Sequence, residues 1–209
     1  DQIRLFACVA DEGSFSAADY RVERAAPPSQ HGPSLWLPPT GAIAPVGWHE
    51  HAVRVWLPPA GEGPWPVVIF GHGLGSDRSQ GKRLAEVAAP LGFATVAIDA
   101  VRHGQHPLGG ATSTITSLTA FFGISLNPFG FDFISLRDNW RQSTWDKLQL
   151  LALLRQAPDM DGDGKADLDP ERMGYIGVSL GGIMGPELLA LTPHLGFAVL
   201  SVAGGKVTA

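Results

Sequence analysis

Apolar residues recur along the chain with two different periods. Val53, Val55 and Leu57 alternate with Arg54 and Trp56, the two-residue period of a strand. The runs "PVVIFGHG" at 66–73 and "FATVAID" at 93–99 are continuously apolar and short, as expected of strands buried on both faces. Between them, residues 79–90 carry a helical pattern that puts Leu84, Val87 and Ala88 on one face. A second helical pattern begins at Asp138, "DNWRQSTWDKLQLLALLRQ". Its apolar positions Trp140, Leu148, Leu151 and Leu150, Leu153, Leu154 predict a helix buried around most of its girth toward the end. "RMGYIGVS", "LGGIMGPELLAL" and "GFAVLSVAG" then read as strand, helix and strand.

Strands that alternate with helices predict a mostly parallel sheet with helices on both faces, an α/β architecture. Chemistry in such sheets gathers at the carboxyl ends of the strands. Two segments stand apart. Residues 1–50 are rich in Pro, Gly, Ser and Ala, which predicts irregular structure with short extended pieces. Residues 104–136 carry no charged side chain except Asp132. So long an apolar insertion in a loop points to a functional element such as a lid.

Composition narrows the classes. With 209 residues, 44% apolar and 17% charged, the chain can build one hydrophobic core. A formal net charge of −5 without any basic run argues against nucleic acid as a partner. No apolar run reaches the roughly 18 residues of a membrane span. The single cysteine, Cys8, excludes a disulfide within the chain. "LFAC" at 5–8 faintly matches a lipoprotein cleavage box, but no long apolar stretch precedes it, which favours a plain thiol.

The densest chemistry lies in "GYIGVSLGG" at 174–182. Gly177-Val-Ser179-Leu-Gly181 fits G-x-S-x-G, between a predicted strand and a predicted helix. The glycines clear a turn too tight for side chains and leave the Ser179 hydroxyl at its apex, above a helix N-terminus. A serine nucleophile generates an oxyanion that needs two fixed N–H donors. Leu180, which follows the serine, supplies one. Leu74 in "HGLG" at 72–75 supplies the other, with Gly73 and Gly75 letting the backbone face inward. His72 reads as a brace for that loop, its alternative being the catalytic base. Asp99, His103 and His106 read as structural.

Asp159, Asp161, Asp163, Lys165, Asp167 and Asp169 occupy alternate positions, with Gly164 after the third aspartate. This is the opening of a calcium loop, in which alternate ligands converge on one ion. Pro170 stands where a regular EF-hand has glutamate, and Glu171 is the available substitute. The expected ion is structural; the alternative is a solvated acidic turn.

Together, "PVVIFGHGLGSDR", "TVAIDAVRHG", "RDNWRQSTWDKLQLL", "DMDGDGKADLDPERMGYIGVSLGGIMG" and "VLSVAGG" resemble the α/β-hydrolase superfamily over about residues 51–205. The likeness is to bacterial extracellular lipases and esterases, and through "HGLG" to platelet-activating-factor acetylhydrolases and cutinase-like polyester hydrolases. It implies a serine esterase or lipase acting on hydrophobic esters, with no catalytic cofactor, at a secreted or bacterial surface location. It also implies that 104–136 shapes an acyl pocket, with Phe121 and Phe122 beside Gly73 and Gly75 as substrate-binding positions. Residues 51–209 would then be the N-terminal portion of one hydrolase domain.

In that superfamily the acid and the histidine follow the nucleophile. Here no acid follows Glu187, and the only later histidine is His194, before the last strand. The expectation is therefore that the final strands and helices, with the acid and base, lie in a second chain or C-terminal fragment. Three alternatives stay open: a catalytically incomplete module that binds lipid or a partner, a peptidase of the same fold, and a calcium-dependent structural domain.

Overall fold

The computed structural model describes residues 11–19, 21–22, 34–35, 47–59, 61–111, 113–160 and 162–204. Cys8 and Asp161 lie outside them. The strands are β1 (Asp11–Asp19), β2 (Arg21–Val22), β3 (Ser34–Leu35), β4 (Gly47–Trp56), β5 (Trp65–Gly71), β6 (Ala94–Ile98), β7 (Ile124–Leu126), β8 (Phe129–Phe131), β9 (Leu168–Val178) and β10 (Phe197–Ser201). The helices are α1 (Gly81–Ala88), α2 (Thr114–Phe122), α3 (Phe133–Leu154) and α4 (Leu180–Leu191).

One six-stranded sheet runs in the order β1-β4-β6-β5-β9-β10. β6, β5, β9 and β10 are parallel; β1 and β4 add an antiparallel edge. On one face, α3 and α4 bury Leu150, Leu151, Leu154 and Leu188 against Val67, Ile69, Val96 and Tyr175. On the other, Ala85 of α1 packs with Trp56, Phe70 and Ala97. Val67, Val68, Ile69 and Phe70 are all buried, and so is every residue of β6. The continuous apolar runs thus lie in the sheet's middle, covered from both sides.

Four expectations change. β1 is a regular strand of nine residues where irregular chain was expected. Phe15, Ala17 and Ala18 are buried, and one phenylalanine beside two alanines sends a weak hydrophobic signal. α1 buries Gly81, Ala85 and Ala88, and leaves Val87 66% exposed. The small residues face the sheet because Trp56 already fills the gap: a Cβ on Gly81 would come 2.9 Å from its ring.

The third change is in the insertion, which has structure of its own rather than running as a loop. α2 opens on a reciprocal Ser113–Thr116 cap and closes at Gly123, whose φ of 67° is left-handed; the hairpin β7–β8 follows. Fourth, α3 starts at Phe133, ahead of Asp138, because the Asp132 carboxylate accepts from the N–H groups of Ile134 and Ser135 at 3.1 Å.

α3 is also buried along a polar side. Gln142 donates to the Ala18 carbonyl at 3.0 Å, and Ala18 N–H donates to Gln149 at 2.7 Å, so side-chain amides fasten the helix to β1. At the opposite edge of the sheet, Phe197 and Val199 of β10 are 43% and 51% exposed.

Candidate active site

β5, β6 and β9 deliver their carboxyl ends to one place. β9 ends at Val178 and α4 begins at Leu180, so Ser179 alone makes the corner. It does so at φ 53°, ψ −112°, a strained backbone for a residue with a Cβ. Glycines make the corner sterically feasible. A Cβ on Gly181 would lie 2.3 Å from the Gly71 carbonyl oxygen, and one on Gly177 would lie 2.4 Å from that of Gly181. The corner is pinned by Ser179 N–H to Ser201 O at 2.9 Å, Gly181 N–H to His72 O at 3.0 Å and Tyr175 Oη–H to Gly181 O at 2.8 Å.

The loop after β5 lies against this corner. A Cβ on Gly73 would sit 3.5 Å from Ser179 Cβ, so the two backbones are in near contact. Gly73 N–H is committed to Gln80 Oε1 at 2.9 Å, and Leu74 is the next residue along the loop. Leu180 is the first residue of α4, and an N–H there has no intrahelical acceptor. Gly75 has φ 71°, and a Cβ there would strike Thr114 of α2. The insertion therefore closes directly over this loop.

Leu74 packs against a buried cluster of Phe121, Leu180 and Met184, as do Phe122, Leu136 and Trp140. Phe121 is fully buried, edge-on to the His103 ring at 5.4 Å; Phe122 is only partly buried and offers surface. Apolar groups continue outward along the insertion, with Ile115, Phe129, Phe131 and Phe133 all more than half exposed.

His72 spends both ring nitrogens on the scaffold. Nδ1 donates to Gly73 O at 2.9 Å, and Nε2 accepts from Ala100 N–H at 2.9 Å. It braces the ends of β5 and β6 and leaves no nitrogen for a proton shuttle. Asp99 is likewise consumed. Its carboxylate accepts from Arg78 Nη1 at 2.5 Å, Arg78 N–H at 2.6 Å and Gln105 N–H at 2.9 Å. His194 sits before β10, at the amino end of the parallel strands, whereas Ser179 is at the carboxyl end. Among the described residues, no histidine is hydrogen-bonded to the Ser179 hydroxyl.

Sequence patterns gave no sign of Lys147. It is buried on α3, where Nζ donates to Ser143 O at 3.1 Å. With Gly71, His72, Leu180 and Gly181 it lines a cavity of about 10 Å³ behind the corner, room for about one water. Burial brings its ammonium down to about 8, against the opposing pull of Asp146 and Glu187.

Burial also holds His72 neutral, with its pKa lowered to about 4; His103 and Lys147 push the same way, and the Gly73 hydrogen bond and Asp99 oppose. Above about pH 6.5 the ring is neutral whether the chain is folded or not. Below that, the unfolded chain takes a proton that the folded one refuses until about pH 4. Folding stability should therefore fall between pH 6.5 and 4, by on the order of 3 kcal/mol for this group. Urea denaturation at pH 7.5 and 4.5 reads the loss. Equal stability at the two values would contradict the assignment.

The acidic turn folds its carboxylates onto its own backbone. Asp159 accepts from Gly162 and Gly164 N–H at 2.7 and 2.8 Å, Asp163 from Lys165 N–H at 2.8 Å, and Asp167 from Met160 N–H at 2.5 Å. Asp169 stands on β9, paired with Arg172 at 2.5 Å, which holds its carboxyl below the usual range.

No protein-family model matches the sequence, and no curated protein does. Solved structures do match. A cold-adapted esterase from an Arctic intertidal metagenomic library aligns over 95% of this chain at 16% identity, with a TM-score of 0.52. A protein named m3DLH aligns over 75% of this chain and 55% of its own, at 20% identity and a TM-score of 0.52. The chain spans 63% of the length of the Arctic esterase. Parallel strands converging on a serine at a strained strand-to-helix corner, together with these likenesses, give the chain the fold of the α/β-hydrolase superfamily.

Proposed function

We propose that this chain is the nucleophile-bearing part of a serine hydrolase that cleaves carboxylic esters through an acyl-enzyme on Ser179. The observation that carries the reading is the Ser179 backbone, φ 53° and ψ −112°, between β9 and α4. A serine in ordinary turn geometry needs no such strain, and strain of this kind collects at functional sites. The Ser179 hydroxyl attacks the ester carbonyl, and its proton passes to a histidine as the tetrahedral intermediate forms. The oxyanion rests on the N–H groups of Leu74 and Leu180. Collapse expels the alcohol, which takes the proton from that histidine, and water then releases the acid by the same route.

His72 is committed to Gly73 and Ala100, and His194 lies at the far end of the strands. The histidine and its orienting acid therefore belong, in this reading, to a further stretch of polypeptide that packs beside β10. The exposed apolar side chains of the insertion favour a hydrophobic ester, with Phe122 toward the acyl group. A structural calcium in the turn at 159–169 is part of the same proposal and rests on the alternate spacing of its carboxylates in the sequence, since Asp159, Asp163 and Asp167 each accept from backbone N–H groups. A secreted or cell-surface location rests on the sequence resemblance alone.

The test is hydrolysis of a p-nitrophenyl ester by the protein as isolated from its native source, with intact masses measured on the same sample. Activity that travels with a longer chain or a companion fragment is the expected result. Activity from a lone 22.1 kDa species would place the base within these residues instead. A completed protein without activity would overturn the esterase reading.

A further inference from the structure

Away from Ser179, three residues distant in sequence meet inside the molecule. His51 comes from β4, His106 from the segment after β6 and Asp146 from the middle of α3, and all three are buried. One donor atom from each lies within 4.8 Å of the others. We propose that His51, His106 and Asp146 bind a single divalent transition-metal ion, zinc by preference.

The hydrogen bond of His51 fixes its tautomer. Its Nδ1 donates to the Ala52 carbonyl at 3.2 Å, which leaves a bare lone pair on Nε2. That nitrogen has no hydrogen-bond partner, although the residue is 1% exposed. A backbone carbonyl on one ring nitrogen and an unsatisfied lone pair on the other is how a zinc-binding histidine is oriented. A buried lone pair that receives no hydrogen bond is otherwise costly.

Asp146 Oδ1 accepts from Gln142 Nε2 at 2.8 Å, and Oδ2 accepts from His106 Nε2 at 3.0 Å. Gln142 also holds the Ala18 carbonyl, so the carboxylate is fixed through a second layer to β1. Ligand atoms around tetrahedral zinc stand about 3.4 Å apart, so the widest separation in the cluster, at most 4.8 Å, closes by no more than about 1.4 Å.

A fourth donor is at hand. His49 precedes His51 by two residues on β4 and shares its side of the sheet; its ring centroid is 6.0 Å from that of His106. Three imidazoles and one carboxylate suit zinc better than calcium or magnesium, which prefer all-oxygen shells. The site is closed, so the ion is structural. It joins the antiparallel edge of the sheet to α3.

Binding has a proton balance. His106 Nδ1 accepts from Leu108 N–H at 3.1 Å, so its ring proton sits on Nε2, toward Asp146. The metal takes the Nε2 position, that proton moves to Nδ1, and the Leu108 bond opens. No net proton is released from this ring.

The test is titration of the chelator-treated protein with zinc chloride, followed by cobalt substitution. One equivalent of zinc should bind saturably and raise the melting temperature. The cobalt form should show the intense visible bands of a tetrahedral site. His51→Ala and Asp146→Asn should each weaken binding by 100-fold or more. Asp146→Asn keeps the side chain's shape, and it decides the matter if His51→Ala fails to fold. Absence of saturable binding, a weak octahedral cobalt spectrum, or affinity unchanged in a folded variant would each overturn the site. The cluster would then be only a hydrogen-bonded strut.

Discussion

Ser179→Ala is expected to lower ester hydrolysis by a factor on the order of 10⁵ to 10⁶, the scale seen when a triad nucleophile is removed. The loss should fall on kcat, because the hydroxyl makes its decisive bond in the reaction rather than in substrate binding. Stability should barely change. Alanine inherits the same φ of 53°, and the pinning bonds at Ser179 N–H and Gly181 N–H come from the backbone. A melting temperature within a few degrees of the parent, with activity gone, separates a chemical role from a structural one. Tenfold or smaller loss would remove Ser179 from the mechanism.

Asp99→Ala should do the reverse and strike the fold. Arg78 and Asp99 are 5% and 1% exposed and meet at 2.5 Å; Arg78 Nη2 also donates to Gln105 Oε1 at 2.8 Å. Removing the carboxylate takes the counter-charge from a buried guanidinium and the acceptor from two backbone N–H groups, those of Arg78 and Gln105. Loss of one partner from a buried pair costs about 3–5 kcal/mol. For a chain of this size that is a fall of roughly 6–20 °C in melting temperature. Asp99→Asn, which keeps the shape and part of the bonding, should lose less. Because this pair ties the segment after β5 to the end of β6, activity should weaken as well, through a loosened loop at 72–75 beside Ser179. A loss below 1 kcal/mol for Asp99→Ala would show that the pair is dispensable.

The parallel core was readable because its strands are buried on both faces. "VVIF" and "ATVAI" have no polar side to confuse with a helix, and they fold as β5 and β6. The corner was readable because its sterics demand glycine at fixed offsets, and Gly177 and Gly181 do meet backbone where a Cβ would go. Three other features were not. β1 buries Phe15 among alanines, too little apolar volume for a periodicity to register. The cap of α2 pairs Ser113 with Thr116, without the glutamate or glutamine that marks a capping box in sequence. The inward side of α3 is polar, with Asn139, Gln142, Asp146 and Lys147 buried, so amphipathic reasoning points its apolar end correctly and misses the rest. His51, His106 and Asp146 come together only through the packing of β4, the segment after β6 and α3, which no local spacing encodes.

Whether Ser179 is an activated nucleophile can be read with a fluorophosphonate probe. Such reagents bond covalently to a serine whose hydroxyl is paired with a base, while the reagent's phosphonyl oxygen takes up hydrogen bonds from an oxyanion hole. The protein as isolated from its native source would be treated with the probe, digested and mapped by mass spectrometry. The account predicts one stoichiometric adduct, on the peptide that contains Ser179, and none on Ser179→Ala. A native protein that stays unlabelled, or carries its adduct on another serine, would contradict it.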